Sequence, residues 1–551
     1  MSTKKILSRA ALLAILLAQL VYLIFCGHIK AQGGMHIDEI YSYILSNSYD
    51  GDQMVNMPKY FDRWIEPSSL LDTVTVQDGE QFAYDKVYYN NSLDCHPPLF
   101  YFLLHSICSL FPNHFSIWYG IGLNLCFFVF STIMLYILGL QMLKDDCLAL
   151  VPPLIWGFSR VCLDATLLVR MYMVLSFFVL CLVAINYRLI KNPLSIGAGI
   201  LLFVISFLGS FTHYYFLVFN FFLTLSYCLY KLFNKDYKAL LLYGTTVLAS
   251  VVLLFVSYPY VISQAFGSST NNVGTQVAQT IGNFSQLPKQ AAITIVWIVT
   301  QLFTKYVTCT LFIGICLLLC IALFKRNATG KHLDRASTTH LITLADFVFY
   351  AIPIGMTTLI TAHLSGIFYT TRYIFDLMPL YVLLITLLFA YLLEKTHLTH
   401  WGIPALLTLG ILNSSVFIAK HECTYYFSDQ TEKLETIATY PQTDCIVLNA
   451  KSHQDNKTGY SNPIPTNNVF TFQLFNQVYM TSYTDAQTLD AVLEKSGNTD
   501  SVMIYLATDK SWIDGYDAHK ITQDIMADSK YLKQCHKVEK MPFGILYYFS
   551  S

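Results

Sequence analysis

Charged side chains are scarce in this chain of 551 residues, and neither sign prevails. Asp, Glu, Lys and Arg account for 13% of the residues, the formal net charge is −1, and the mean hydropathy is +0.47. Because soluble domains carry roughly 25% charged residues, this composition excludes a soluble domain and predicts an α-helical polytopic membrane protein. The chain also lacks a basic stripe, so no nucleic-acid partner is expected.

Cysteine motifs are missing as well. The chain contains 14 cysteines, yet none of them forms a Cys-x-x-Cys pair, and most lie inside apolar runs. This distribution favours small buried hydrophobic side chains over a zinc site or a disulfide framework. Cys423, Cys445 and Cys535 lie in a polar tail, where the sequence leaves the disulfide state open.

Long apolar runs, in contrast, are abundant. With ~20 residues per spanning helix, they predict about eleven membrane spans. The first run follows basic residues and lacks a convincing cleavage site, which favours a retained span with a cytoplasmic N-terminus over a signal peptide. The short run after Pro97 predicts a juxtamembrane helix at the outer interface, and Lys305 divides another run into an interfacial piece and a helix. The predicted spans cover 10–26, 114–140, 147–161, 171–187, 193–211, 216–230, 239–258, 291–323, 341–364, 374–393 and 401–418.

The loops predict the orientation of the chain. Loop 28–97 is rich in acidic residues and loop 325–335 in basic ones, so the positive-inside rule places the first outside and the second in the cytoplasm. An odd number of spans puts the termini on opposite sides. Beyond residue 420, three β-rich runs (445–448, 502–507 and 544–549) alternate with three helical ones (431–439, 486–495 and 518–529), which predicts a small α/β domain. We therefore expect a transmembrane domain over 1–420 and an extracytoplasmic domain over 421–551, in the plasma (inner) membrane.

Ionisable and aromatic residues collect at the outer ends of the predicted spans. An Arg near the bilayer centre costs at least ~2.5–3.5 kcal/mol, so charges in such segments usually mark a functional site. One outer cavity is therefore expected to gather an acidic pair, histidines and arginines. The residues concerned are Asp38, Glu39, His96, Arg160, Arg170, Tyr172, His213, Arg372 and Tyr373.

Five short motifs contain most of these residues. They are His36-x-Asp38-Glu39, His96-Pro97-Pro98-Leu99-Phe100-Tyr101 with His105, Arg170-Met171-Tyr172, Thr212-His213-Tyr214-Tyr215 and Arg372-Tyr373. Together they resemble the GT-C glycosyltransferases, in particular the branch with protein O-mannosyltransferases, aminoarabinose transferases and bacterial polyprenyl-phosphate-sugar transferases. The resemblance covers roughly residues 10–393. One position departs from the family: Leu168 stands where a Glu often precedes Arg-Met-Tyr, and Asp164 is the nearest acid.

The resemblance implies a GT-C type fold and a reaction. A sugar on a polyprenyl phosphate would be transferred, with inversion, to the hydroxyl of a glycan, lipid or protein acceptor on the extracytoplasmic side. Asp38 would act as general base, a contribution of typically 10²–10⁴-fold. Glu39 would orient the acceptor or, together with His96, hold a divalent metal cation.

The resemblance also implies how the donor is held. The departing lipid phosphate requires positive charge, which a forked guanidinium supplies well, and Arg372 and then Arg170 are the expected clamps. The lipid tail would lie among the apolar spans, next to membrane lipid. The expected contacts to the donor or acceptor are His96, His213, Tyr172, Tyr214 and Tyr373.

Each of these residues also has a plainer interpretation. The acidic pair belongs to a loop rich in other acids, and the arginines and aromatic residues suit interface anchors. Arg160, Asp164 and Lys305 are expected to be structural. A rival function is a transporter or flippase for a lipid-linked or small polar solute, although such proteins place charges near mid-membrane and repeat their halves. A non-catalytic scaffold is the third interpretation.

Overall fold

The structure is a computed structural model. It describes residues 3–49, 60–266, 287–329, 344–364, 371–448, 468–508 and 517–551. The chain forms two compact units. Unit 1 consists of Met1–His28, Asp94–Phe100 and Gly120–Thr424, and unit 2 of Ile29–Leu93, Tyr101–Tyr119 and Tyr425–Ser551.

Helices dominate the described residues up to 420. Among them lie one short strand, β1 (Trp64–Ile65), and two 3-10 segments, Leu148–Leu150 and Thr371–Leu377. The helices are α1 (Thr3–Gln32), α2 (Ile37–Asn47), α3 (Ser68–Leu71), α4 (Tyr84–Ser92), α5 (Leu99–Cys108), α6 (Trp118–Leu143), α7 (Val151–Gly157), α8 (Arg160–Leu167), α9 (Tyr172–Lys191), α10 (Ile196–Thr212), α11 (Tyr214–Phe233), α12 (Tyr237–Ser257), α13 (Val261–Phe266), α14 (Leu287–Leu302), α15 (Lys305–Thr329), α16 (Leu344–Leu364), α17 (Met378–Thr396) and α18 (Thr399–Lys420).

Each predicted span coincides with an apolar helix, but not every such helix is long enough to cross a membrane. Within the described ranges, eight helices have the required length and hydropathy, and the α7–α8 pair, bent by 58°, brings the number to nine if it counts as one span. The predicted spans at 193–211 and 341–364 correspond to the shorter apolar helices Ile196–Thr212 and Phe347–Thr361. The run divided by Lys305 forms two helices, as expected.

Unit 1 is built around α9 and the segment Arg372–Thr396. In the most apolar 18-residue stretch of each, 78% of the residues are buried, whereas the corresponding share in Lys305–Lys325 of α15 is 11%. A buried amide joins three helices of this core: Asn186 donates to the Tyr243 hydroxyl and accepts from the Tyr350 hydroxyl, both at 3.1 Å. The oxygen and the nitrogen of this buried amide are thus both satisfied inside an apolar bundle.

Beyond residue 420 the described residues of unit 2 form helices, strands and one 3-10 segment, Thr471–Leu474. The helices and strands are α19 (Asp429–Ala438), β2 (Cys445–Leu448), β3 (Val478–Thr481), α20 (Ala486–Ser496), β4 (Ser501–Ala507), α21 (Ala518–Asp528), β5 (Gln534–Met541) and β6 (Gly544–Ser550). With β1 these strands form a six-stranded sheet in the order β1-β3-β2-β4-β6-β5. Strands β3, β2 and β4 are parallel, and the other neighbours are antiparallel. β2 and β4 are apolar runs that are almost entirely buried, as expected of central parallel strands.

Local sequence sets the ends of the two helices that cover this sheet. The Asp485 side chain caps α20 by accepting from the Thr488 amide, and Gly497 ends the helix at a positive φ of 79°, a conformation that glycine adopts without strain. Asp517 caps α21 in the same way. The apolar faces of α20 and α21 then pack on β2 and β4.

The predicted fold class, an α-helical polytopic membrane protein with a small C-terminal α/β domain, is confirmed. All three predicted strands and all three predicted helices of the tail are present, and the structure adds β1, β3 and β5. β1 comes from the first long loop and pairs with β3, so that loop belongs to the same compact unit as the tail. Much of the expected polar loop 263–288 and of the basic loop 325–335 lies outside the described residues.

The orientation of the termini remains a prediction, which cysteine labelling tests in intact cells. We expect a membrane-impermeant maleimide to label Ser428→Cys from outside the cell. Lys235→Cys, in the exposed turn between α11 and α12, serves as the matched control and is expected to react only after permeabilisation. The unsubstituted protein gives the background from its own cysteines. Labelling of Ser428→Cys only in permeabilised cells would contradict the expected topology.

Candidate functional site

In unit 2, the acidic pair lies at the first turn of α2. His36 is the N-cap: its Nδ1 accepts from the Asp38 amide at 3.1 Å, and its own amide donates to Glu39 Oε2 at 2.6 Å. This reciprocal capping arrangement satisfies amides that a helix start would otherwise leave unpaired. Negative side chains are also favoured in the first turn by the helix dipole. The motif around Asp38 and Glu39 is therefore a helix start.

The two carboxylates have different surroundings. The Asp38 side chain is 20% exposed, and its Oδ2 lies 3.4 Å from Nδ1 of His36. The Glu39 side chain is fully buried and forms an ion pair with Lys30, with 2.8 Å between Nζ and Oε2. Asp38 is thus the member of the pair that can meet a substrate, whereas Glu39 is engaged by Lys30 and by the cap.

In unit 1, the break between α8 and α9 places Arg170 and Tyr172. Asn124 on α6 donates to the carbonyls of Thr166 and Leu168 at 3.1 and 2.8 Å, and so binds backbone carbonyls at the C-terminal end of α8. A side chain at Gly120 would bring a Cβ within 2.0 Å of Val169, so glycine is required for this close approach. The chain then turns into α9 with Arg170 almost completely buried.

Arg170 completes a chain of three polar side chains. Nδ1 of His96 lies 2.7 Å from Oδ2 of Asp94, and Nε2 of the same ring lies 3.2 Å from a guanidinium nitrogen of Arg170. Pro97 and Pro98 follow and lead into α5, a favoured use of proline at a helix start. An acid, an imidazole and a guanidinium are therefore hydrogen-bonded in line.

The charges in this chain shift one another's pKa values. Burial raises the pKa of Asp94, but the charge and hydrogen bond of His96, with the Arg170 guanidinium, outweigh it and hold that pKa below its usual value. Burial lowers the pKa of His96, whereas the adjacent Cys95 and Asp94 raise it, and the balance lies at about 9. The Asp94 carboxylate is therefore favoured in its charged form.

His213 joins the same cluster from the junction of α10 and α11. Its ring centroid lies 5.6 Å from that of His96 and 6.1 Å from that of Tyr172. Burial, followed by the charges of His96 and Arg170, holds the pKa of His213 well below its usual value. The neutral ring accepts from the Tyr215 amide through Nδ1 at 3.1 Å and thereby caps α11.

An aromatic row connects His213 with the second predicted arginine. The Tyr215 ring lies 4.6 Å from His213 and 5.5 Å from Tyr373, and the Arg372 guanidinium carbon lies 5.4 Å from the Tyr373 centroid. Arg170 and Arg372 thus stand at the two ends of one row of rings. Cations at both ends of a polar, aromatic surface suit an anionic group joined to a sugar.

Tyr214 points into a further hydrogen-bonded group. Its hydroxyl donates to Gln264, whose amide donates to the Tyr258 hydroxyl at 3.1 Å, and Tyr258 in turn lies 3.5 Å from the His96 carbonyl. The contacts fix the backbone of the His96 motif from α11 and α13. Tyr214 therefore has a positioning contact as well as its predicted substrate role.

A divalent cation would find suitable donors at 94–96. A carboxylate oxygen of Asp94, the sulfur of Cys95 and a ring nitrogen of His96 all lie within 4.8 Å of one another, and zinc accepts oxygen, sulfur and imidazole nitrogen. These residues fit such an ion. Glu39, the other predicted ligand, is less suited because the Lys30 ammonium already occupies the position beside its carboxylate.

The structure brings most of the predicted unit 1 residues into one cluster. His96, Arg170, Tyr172, His213, Arg372 and Tyr373 are linked by the contacts above. Asp164, considered for the missing acid of the family, instead accepts from the amide and hydroxyl of Thr424 at 2.7 Å. Arg160 lies near Glu422, as expected of a structural residue. Sequence reasoning gave no role to Lys30, Asp94, Tyr215, Tyr258 and Gln264. Only weak signals pointed to two of them: Lys30 stands at the end of an apolar helix, and Asp94 is an acid two residues before His96.

The lowered pKa of Asp94 predicts a pH-dependent contribution to stability. A carboxyl with a depressed pKa stabilises the folded state above its unfolded value of 3.8, and this contribution is lost as the pH falls through the folded-state pKa. We expect Asp94→Asn to cost about 1.5–3 kcal/mol at pH 7, the range for a hydrogen bond to a charged group, and less at pH 3, below the unfolded value.

Thermal unfolding of both proteins at the two pH values measures this difference. Asp528→Asn, on an exposed helix end, controls for general acid effects. A cost that stays constant or grows toward low pH would contradict the assignment.

Comparisons with known proteins found likenesses of structure only. No family model and no curated protein matches the chain. The chain is similar to ArnT from Cupriavidus metallidurans bound to undecaprenyl phosphate, with 11% identity, 98% of this chain and 97% of that one covered, and a TM-score of 0.47. It is also similar to the Archaeoglobus fulgidus oligosaccharyltransferase in complex with Zn and sulfate, with 9% identity, 88% of this chain and 68% of that one covered, and a TM-score of 0.42. A third similar structure is the archaeal oligosaccharyltransferase AglB from the same organism, in complex with an inhibitory peptide and a dolichol-phosphate. The identity is 11%, 97% of this chain and 74% of that one are covered, and the TM-score is 0.41. None of the scores reaches 0.5, and the likeness assigns neither residues nor substrates to this chain.

Proposed function

We propose that this protein is a membrane glycosyltransferase of the GT-C type. It transfers a sugar from a polyprenyl-phosphate donor to an acceptor on the extracytoplasmic side, with inversion. The observation that carries the proposal is the meeting, in unit 1, of four motifs that are far apart in the sequence. His96, Arg170, His213 and Arg372 share one cluster, as a site requires and as scattered interface anchors do not.

In this proposal the cluster binds the lipid phosphate. Arg170 and Arg372 provide guanidinium groups, which bind phosphate oxygens through forked donors. Nε2 of His96 lies 3.2 Å from Arg170 and so orients that guanidinium. These groups would stabilise the charge that develops on the departing polyprenyl phosphate.

Asp38 is the proposed general base. Its side chain is 20% exposed, whereas that of Glu39 is fully buried in an ion pair, which favours Asp38 over Glu39 for contact with an acceptor hydroxyl. Taking the hydroxyl proton in the transition state makes the oxygen a competent nucleophile for the anomeric carbon. The tyrosines Tyr172, Tyr214 and Tyr373 are proposed to contact the sugar.

The metal requirement is part of the proposal. Asp94, Cys95 and His96 are the residues that would hold a divalent cation. When bound, the ion would supply positive charge toward phosphate oxygens.

Replacing the proposed base tests the reaction. Purified protein is incubated with a panel of polyprenyl-phosphate sugars, and transfer is compared between wild type and Asp38→Asn. We expect the variant to fold and to bind donor normally but to lose transfer by at least ~100-fold, the low end for loss of a general base. Unchanged turnover would remove Asp38 from this role.

Replacing Arg372 tests the phosphate clamp. Arg372→Ala is expected to weaken donor affinity and slow turnover, by about 10-fold or more in kcat/KM, because a charge-assisted contact to the phosphate is lost. Arg160→Ala, which removes a guanidinium near Glu422 and away from this row, is the matched control and is expected to retain kcat/KM. Equal values for both variants would reduce Arg372 to an anchor.

A further inference from the structure

We propose that Lys30 is a positioning residue of the reaction: its buried ion pair with Glu39 holds the turn that carries Asp38. The inference rests on the proposed function of Asp38 as base. It assigns a role to a lysine that belongs to none of the five motifs and gives Glu39 a role other than binding an acceptor or a metal.

The pair is closed to solvent on both sides. Lys30 and Glu39 have fully buried side chains with 2.8 Å between Nζ and Oε2. Buried ions are tolerated only when paired and hydrogen-bonded, and both requirements are met. Nζ also donates to the Gly34 carbonyl at 2.9 Å and lies 4.9 Å from the ring centroid of Phe427.

The hydrogen bonds of the pair end on the backbone that carries Asp38. On one side Lys30 holds the carbonyl of Gly34, and on the other Glu39 holds the amide of His36 at 2.6 Å. The His36 ring, fixed in this way, accepts from the Asp38 amide. Asp38 lies between His36 and Glu39, so the ion pair restrains the backbone on both sides of the proposed base.

The ends of two helices meet at this ammonium. Lys30 is in the last turn of α1, where the dipole favours a cation, and Glu39 is in the first turn of α2, where it favours an anion. A single ion pair thereby bridges the connection between Lys30 and α2. The connection from α1 to α2 is only four residues long, so a change at the pair is passed directly to Asp38.

Close packing excludes other conformations of the connection. A Cβ at Gly33 would lie 1.9 Å from the Tyr426 carbonyl oxygen, and one at Gly34 would lie 1.6 Å from Oε1 of Gln430. The Gly34 amide also donates to the Phe427 carbonyl at 3.0 Å. The two glycines therefore allow the segment 426–430 to approach the connection and confine it.

A purely structural pair would behave differently from a positioning pair. Removing both partners of a buried ion pair together is often neutral for stability, because no lone charge remains. If the pair only stabilises the fold, a double variant that regains stability also regains turnover. If the pair positions Asp38, stability returns but turnover does not, since a displacement of ~1 Å can cost ~100-fold in rate.

The test uses the full-length protein and the variant Lys30→Met/Glu39→Gln, whose side chains keep nearly the same shape. The control is Lys530→Met/Glu494→Gln, which removes an exposed ion pair of 3.7 Å in the same unit. Three quantities are measured: the unfolding temperature, hydrogen exchange of the peptide covering residues 35–41, and kcat and KM for the donor that gives the highest turnover in the panel.

We expect the double variant to unfold close to the wild-type temperature, to exchange the 35–41 amides at least ~10-fold faster, and to lose about 100-fold in kcat at unchanged donor KM. The control is expected to match wild type in all three. Wild-type exchange and wild-type kcat in the double variant would overturn the proposal.

Failure of the base role would be seen separately. If Asp38→Asn turns over normally, the proposed function of Asp38 falls, while the exchange of residues 35–41 still shows whether the pair holds the turn. If the double variant does not fold, Glu39→Asp, which keeps both charges but shortens the reach of the carboxylate to Lys30 and to the His36 amide, takes its place. Wild-type exchange and kcat in that variant would equally overturn the proposal.

Discussion

A buried charge in an apolar protein needs a partner, and the line of hydrogen bonds from Asp94 through His96 to Arg170 shows how this chain meets that constraint. Only 13% of its residues are charged, and desolvating any of them is costly. Arg170 is tolerated in the core of unit 1 because an imidazole faces it at 3.2 Å and a carboxylate lies behind that ring. The loop before α5, the break before α9 and the junction of α10 and α11 all converge on these side chains.

Unit 2 also pairs its buried charge, but there the partner is an ion of opposite sign. There the buried acid Glu39 is neutralised by Lys30, and Asp38 beside it keeps part of its surface in solvent. Two adjacent carboxylates therefore have different surroundings, and the roles that we propose for them, one in holding the turn and the other as base, follow from this difference. Environment, rather than residue type, distinguishes a base from a structural acid.

Sequence patterns predicted the helices well, because apolar runs of sufficient length have few alternatives to a membrane helix. They were less informative on the lengths of the spans. Both 193–211 and 147–161 are apolar, but the first forms a short helix, and the second bends at the point where Ser159 caps the next helix, α8. Strand β5 escaped prediction because Gln534–Met541 is polar and largely exposed at the sheet edge. Neither β1 nor β3, of two and four residues, gives a clear period.

The candidate site was predictable in part. The motifs named His96, Arg170, His213 and Arg372, and their mutual contacts are tertiary facts that no local pattern contains. The partnership of Lys30 with Glu39 could not be foreseen, because the lysine resembles any interfacial residue at the end of an apolar helix. Tyr215 was quoted only as a neighbour of His213, yet it forms the contact between that ring and Tyr373.

We propose that this protein breaks the bond between a sugar and a lipid phosphate rather than moving the intact lipid across the membrane. Mass spectrometry of the lipids recovered from proteoliposomes that were supplied with a polyprenyl-phosphate sugar and an acceptor extract distinguishes the two. We expect free polyprenyl phosphate to accumulate in step with the loss of the sugar-bearing lipid. Recovery of the intact donor, in either leaflet, across the whole panel of sugars would rule out the transferase.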